Sequence, residues 1–263
     1  MHTLVEISLD DLTSPETVSD RLWVLGAVGV EERSGTVVGA FVDPDRAAVA
    51  ATELGGRARS VADTAGLDAW REHARVVVAG PFAVRPPWLD PGPGIDLVID
   101  PGHTFGSGSH PTTRLATALL ANRVEPGMHV VDLGAGSGVL SVAAALLGAT
   151  VTAIDTDPRA PATIAANAAR NGVAQRIDTV TADIAEVATT ADLGVLNVTI
   201  DIHERVAPAL RRLPIGPLIV SGILAVHHEA RCAAAHGRSI GDRITEDEWA
   251  ALVLDHGASA TPS

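Results

Sequence analysis

The run V-V-D-L-G-A-G-S-G-V-L, Val130 to Leu140, restricts the fold more than any other part of the chain. Val130 and Val131 lead into Asp132, and three glycines follow at every second position, Gly134, Gly136 and Gly138. Val139, Val142, Ala143, Leu146 and Leu147 then recur at i, i+3, i+4, i+7 and i+8. This pattern predicts a strand, a sharp turn free of Cβ atoms, and a helix with one apolar face that Gly148 closes. Such a turn lets a ligand approach the backbone, and it lies at the carboxyl end of its strand, where open α/β sheets bind ligands. It is not the dinucleotide fingerprint G-x-G-x-x-G, whose third glycine would fall at Val139. Nor is it a phosphate-binding P-loop, which needs a Lys, because all 19 basic residues are Arg.

Strand and helix patterns alternate from residue 111 onward. Strands are expected at Val130–Asp132, Thr150–Ile154, Ile177–Thr181, Leu193–Asn197 and Pro217–Ser221, with helices ending near Leu147, Asn171, Arg212 and His236 and two terminal strands. The fold class is therefore α/β, an open and mostly parallel sheet over 111–263. Residues 1–65 read as a smaller unit in the order β-α-β-β-α-β, which resembles the split βαβ plan of ferredoxin-like modules. Residues 66–110, rich in Pro and Gly with Trp70 and Trp88 and with short strand-like pieces at Val76–Val78, Phe82–Val84 and Ile95–Ile99, read as a linker that becomes the mouth of the larger domain.

Several polar residues fall at expected strand ends. Asp132, two residues before the first glycine, is placed to meet a ligand ammonium or to fix the loop. Asp155 ends the second strand 21 residues after Gly134, close to the spacing at which a carboxylate meets a ribose. Asp157-Pro158 predicts the next helix start, with Asp157 as N-cap. Asp183 suits either an exocyclic amine, with Ile184 against a base, or a plain N-cap. His103 and His110 sit in a Gly-rich loop as candidate proton acceptors or loop hydrogen-bonders. Cys232 is the one Cys, which excludes an intrachain disulfide and a Cys-based zinc site; a buried thiol is expected, and no metal.

The charge balance narrows the partners. Asp plus Glu number 32, for a net charge of −13, against the clustered positive charge that nucleic-acid binding needs. The first residues lack a basic n-region and a long apolar stretch, and no apolar run reaches a membrane span. A soluble, cytoplasmic protein without membrane contact is expected; oligomeric state stays open.

The loop D-L-G-A-G-S-G with Asp155 after the second strand resembles class I S-adenosylmethionine-dependent methyltransferases. The run D-P-G-H-T-F-G-S-G-S-H-P-T-T-R, Asp100 to Arg114, is similar to the segment ahead of that loop in the ribosomal protein L11 methyltransferases. W-R-E-H-A at Trp70, F-A-V-R-P-P-W up to Trp88, L-G-A-V-G-V-E-E near Leu25, S-G-I-L at Ser221 to Leu224 and E-W at Glu248-Trp249 extend the resemblance over most of the chain. The family's pattern departs after Asn197, where N-V-T-I-D-I-H is more polar than the usual apolar run.

The resemblance implies S-adenosylmethionine as cofactor, held through Thr113, Gly134, Asp155 and Asn197; the reading of the loop and strand ends adds Asp132, Gly136 and Asp183 as further candidate cofactor contacts. It implies Phe105 and His110 at the substrate mouth and Asn197 as the residue that orients the acceptor amine. The implied activity is methylation of amino groups, Lys side chains or the N-terminal amine, of a basic ribosomal protein recognised by the N-terminal unit. An acidic surface suits such a partner through charge steering, and equally suits solubility. A class I methyltransferase of another protein or of a small molecule, and a nonenzymatic cofactor-binding protein, are the competing readings.

Overall fold

A computed structural model describes residues 2–9, 14–27, 29–33, 35–61, 74–100 and 108–256. The chain divides into two compact units, Met1–Ala74 and Arg75–Ser263.

In the first unit, β1 (His2–Ser8), α1 (Pro15–Val24), β2 (Gly29–Arg33), β3 (Thr36–Phe41), α2 (Pro44–Glu53) and β4 (Arg57–Val61) follow the expected order. Proline at the first turn starts both helices, and Asp43 caps α2 by accepting the Asp45 N–H at 2.9 Å. The strands form one antiparallel sheet in the order β2-β3-β1-β4. Val5 and Ile7 of β1 pair with Gly39 and Val37 of β3, so their side chains share one face. That face is buried under Val18 and Leu22 of α1 and Ala47 and Ala50 of α2.

The second unit begins with β5 (Val77–Ala79), β6 (Phe82–Arg85) and β7 (Ile95–Val98), a small sheet with β6 antiparallel to β5 and parallel to β7. Phe82, Leu97 and Ile99 are fully buried and join the same core as Leu119 and Leu120. The described part of the expected linker is thus a packed piece of the second unit. The short strand-like pieces expected there form this small three-stranded sheet, broken by the Pro- and Gly-rich turns between them.

The main sheet takes in β8 (His129–Leu133), β9 (Thr150–Asp155), β10 (Ile177–Thr181), β11 (Leu193–Asn197), β12 (Leu218–Leu224), β13 (Arg238–Glu246) and β14 (Trp249–His256). Its order is β10-β9-β8-β11-β12-β14-β13, parallel from β10 to β12 and antiparallel at β14. Both faces are covered, so successive residues alternate between two cores. Val130, Val195 and Ile219 face α3 (Pro111–Arg123) and α4 (Val139–Leu146); Val131, Leu196 and Val220 face α6 (Ile200–Leu210) and α7 (Glu229–His236). The strand order reverses between β8 and β11, the topological switch point of an open sheet.

Two boundaries differ from the sequence expectation. The helix after β9, α5, runs Ala160–Arg170 and takes Pro161 in its first turn. Asp157 is therefore not its N-cap; it accepts the Arg159 N–H at 2.9 Å in the preceding turn and pairs with the Arg159 guanidinium. Strand β12 continues past Ser221 to Leu224 through a register shift against β14 between Val220 and Ile223.

Candidate functional site

The candidate residues of the second unit collect at the carboxyl ends of β8, β9, β10 and β11. The chain leaves β8 through Gly134 at φ 78° and Gly136 at φ 54°, left-handed conformations that a side chain resists. A Cβ on Gly134 would lie 3.1 Å from Val198 Cγ1 and 3.8 Å from Ile184 Cδ1. The glycine loop therefore faces the Val198 and Ile184 side chains, on the segments that leave β11 and β10. The Gly134 and Ala135 N–H groups both donate to the Ile154 carbonyl, at 2.8 and 3.0 Å, which fixes the turn against the end of β9.

Asp155 stands at that end. Its Oδ2 accepts the Gly136 N–H at 2.7 Å and its Oδ1 accepts the Asp157 N–H at 2.8 Å. Each oxygen keeps a lone-pair direction beyond these bonds. Across the switch point the Asn197 side-chain amide donates to Thr113 Oγ1 at 3.3 Å. Thr113 is buried in the first turn of α3, so the end of β11 and the start of α3 are joined at the site.

Asp132 is buried, 1% exposed. Ser141 Oγ donates to its Oδ2 at 2.6 Å, while Oδ1 has no hydrogen-bond partner among the described residues. Burial pushes its carboxyl up to about 6, against the Ser141 hydrogen bonds that favour the ionised form. Asp183 fits its capping reading. It accepts the Ala185 N–H at 2.9 Å at the start of a short 3-10 turn, and the Arg205 guanidinium donates to it at 2.8 Å. The backbone bond and then Arg205 hold it below the usual carboxylate range.

His110 caps α3. Its Nδ1 accepts the Thr112 N–H at 3.3 Å and also faces Thr112 Oγ1 at 2.8 Å, and its ring packs edge-on against Trp249 at 5.1 Å. Burial, with Arg114 beside it, lowers it to about 4, so it is neutral at physiological pH. Phe105 and His103 lie outside the described residues.

Three further residues shape the site. Asn167 of α5 accepts the Asp100 N–H at 3.0 Å and donates to the Asp100 carbonyl at 3.0 Å and the Ser137 carbonyl at 2.9 Å. One turn later Asn171 brackets Val98, accepting its N–H at 2.9 Å and donating to its carbonyl at 2.7 Å. The glycine loop and the strand leading toward the F-G-S-G-S-H run thus share one helix as anchor. The signal was present in sequence: two Asn, poor helix formers, spaced i, i+4 on one face of a helix. Gly222, in S-G-I-L, is the third, at φ 82° with its would-be Cβ 2.3 Å from the Val198 carbonyl oxygen. Only glycine lets β12 pass that close to the residue after Asn197.

Comparison with known proteins gives a consistent picture. The profile of the ribosomal protein L11 methyltransferase family matches residues 46–256. A ribosomal protein L11 methyltransferase of Thermus thermophilus is 40% identical over 233 residues, 86% of this chain and 89% of that protein. One of Pelotomaculum thermopropionicum is 43% identical over 204 residues, 74% of this chain and 66% of that protein. Among solved structures, a ribosomal protein L11 methylase of Lactobacillus delbrueckii subsp. bulgaricus superposes with TM-score 0.60 at 29% identity, covering 67% of this chain and 95% of the other.

Proposed function

This chain belongs to the ribosomal protein L11 methyltransferase family, and on that premise we propose that it methylates amino groups of ribosomal protein L11 from S-adenosylmethionine. The observation that carries the reading is the Asn197–Thr113 hydrogen bond, held beside Gly134 at the switch point of the sheet.

The residues present fit the cofactor. Asp132 Oδ1 is a buried, unpartnered anionic oxygen suited to an ammonium, and the space at Gly134 is one that a Cβ would fill. Asp155 is held by two backbone N–H groups and offers its remaining lone pairs to two ribose hydroxyls. Asp183, anchored by Ala185, offers an acceptor to an exocyclic amine, with Ile184 as the apolar neighbour. When bound, S-adenosylmethionine supplies a methyl group on a positively charged sulfur for in-line displacement.

The chain's part is placement. Asn197 and Thr113 present neutral oxygens and an amide at the site, and the side-chain carbonyl of Asn197 orients an acceptor amine by accepting its N–H. Arg205 is engaged by Asp183 and Arg114 by Glu246, so their charges are compensated. His110 is not the base, since its Nδ1 is occupied and its proton affinity is low. The amine must arrive neutral, a form that desolvation of a Lys favours. That Lys belongs to a partner, for this chain contains none.

The four-stranded first unit is our candidate for recognising the protein substrate, and the net charge of −13 favours a basic one. Intact-mass measurement of ribosomal protein L11 after incubation with the chain and S-adenosylmethionine tests the reading. Gains in steps of one methyl group are expected, and Asn197→Ala is expected to abolish most of them while leaving the fold intact. No gain with cofactor binding confirmed would refute the acceptor assignment.

A further inference from the structure

Away from the methyl-transfer site, three soft or borderline ligands meet in the core between α6, α7 and β12. Cys232 and His236 are spaced i, i+4 on α7, the interval that puts two side chains on one helix face and that helical metal sites use. His203 of α6 faces them. One donor atom from each, two imidazole nitrogens and the thiol sulfur, lies within 4.8 Å of the others, and all three residues are buried.

The orientation of His203 is the second observation. Its Nε2–H donates to the Ser221 carbonyl at 2.9 Å, and a carbonyl only accepts, so Nδ1 carries a lone pair. That Nδ1 lies 3.2 Å from His236 Nε2. Ligating histidines are usually held in this way, by a carbonyl on the far ring nitrogen. The 3.2 Å separation is also what two nitrogens, each about 2.0–2.1 Å from a shared ion, span at a near-tetrahedral angle.

We propose that His203, Cys232 and His236 form a binding site for a single thiophilic transition-metal ion, Zn2+ or Cu+. The donor set, two imidazoles and one thiolate, suits these ions and not Mg2+ or Ca2+, which take oxygen ligands. As the metal–sulfur bond forms, the thiol proton leaves to solvent, which brings one negative charge to the ion. With Cu+ the site is then neutral, and with Zn2+ it keeps one positive charge and an open fourth position. The sequence hides the site because a lone Cys has no partner in Cys spacing and His203 lies 29 residues upstream of it. This inference is independent of the proposed methyl transfer.

The full-length chain, stripped with chelator, is loaded with Zn2+, with Co2+ as spectroscopic probe, and anaerobically with Cu+, then desalted and assayed for metal. We expect about one ion per chain, and for Co2+ a thiolate-to-metal charge-transfer band. Cys232→Ala and Cys232→Ser should each lose the band and at least tenfold of the retained metal, with unchanged circular dichroism. Retention of Zn2+ and Co2+ assigns a zinc-type site, and retention of Cu+ alone a copper-type one. Wild type that retains none of the three, or metal retained undiminished in both Cys232 variants, overturns the proposal and leaves the cluster as a hydrogen-bonded chain from His236 through His203 to Ser221.

Discussion

Replacing Asp132 with Asn tests the energetics of the site directly. The wild-type carboxyl is raised from an ordinary value of 3.8 to about 6 because its charged form is buried. Between those values the native state keeps a proton that the unfolded chain has released. Stability is thus fully present below 3.8, falls as pH rises through the window, and is lost above about 6. A shift of about two units corresponds to about 3 kcal/mol. The amide introduced by Asp132→Asn cannot ionise, so the variant lacks this slope, and any cost of fitting that amide is independent of pH. The stability of wild type minus that of the variant should therefore drop by about 2–3 kcal/mol between about pH 4 and about pH 7.5. Urea unfolding of both proteins at several pH values reads this difference, in which the titration of every other carboxylate cancels. Under the proposed function a ligand ammonium beside Oδ1 stabilises the ionised form, so saturating S-adenosylmethionine should flatten the wild-type slope. Parallel curves for the two proteins would refute the assignment of a carboxyl raised by uncompensated burial in the free protein.

The remaining predictions concern single contacts. Gly134→Ala forces a Cβ into a left-handed conformation 3.1 Å from Val198, so it should cost about 1–2 kcal/mol of stability in urea unfolding and weaken cofactor binding at least tenfold by calorimetry. Asn167→Ala removes three hydrogen bonds to the Asp100 and Ser137 backbone; a loss of about 2–4 kcal/mol and faster amide exchange at Asp100 are expected. Asp183→Ala removes a cap worth about 1 kcal/mol. If that is its only effect, with cofactor affinity unchanged, the amine-binding role of Asp183 is wrong. His110→Asn should leave the pH profile of methyl transfer between about pH 5 and about pH 8 without a lost inflection, because His110 is neutral throughout that range.

Much of this architecture was legible because its determinants are local. Periodicity marked the parallel strands Ile177–Thr181 and Leu193–Asn197 at their observed bounds, and a glycine after each turn marked where helices stop. The first helical start after β9 was misplaced because two prolines, Pro158 and Pro161, compete for the first turn, and the nearer one serves a turn instead. The three strands over 77–98 were legible as short strand-like pieces, but their place in the core of the second unit was not, because it depends on burial against α3 and no window of their own sequence carries that signal. At the site, Asp155 could be found from spacing and Asn197 from the family resemblance. The bond from Asn197 to Thr113 joins residues 84 apart, and the unpaired oxygen of Asp132 depends on what surrounds it in space. Those are properties of packing, which a linear reading does not contain.

Asn167 touches the glycine loop at Ser137 and both backbone groups of Asp100 at once. A single amide therefore makes the position of the glycine turn and the entry to the F-G-S-G-S-H run mechanically dependent on each other. Where a ligand of the glycine loop displaces this amide, thermodynamic linkage makes the effect mutual: whatever engages the segment beyond Asp100 alters affinity at the glycine loop by the same factor that the loop's ligand alters affinity there.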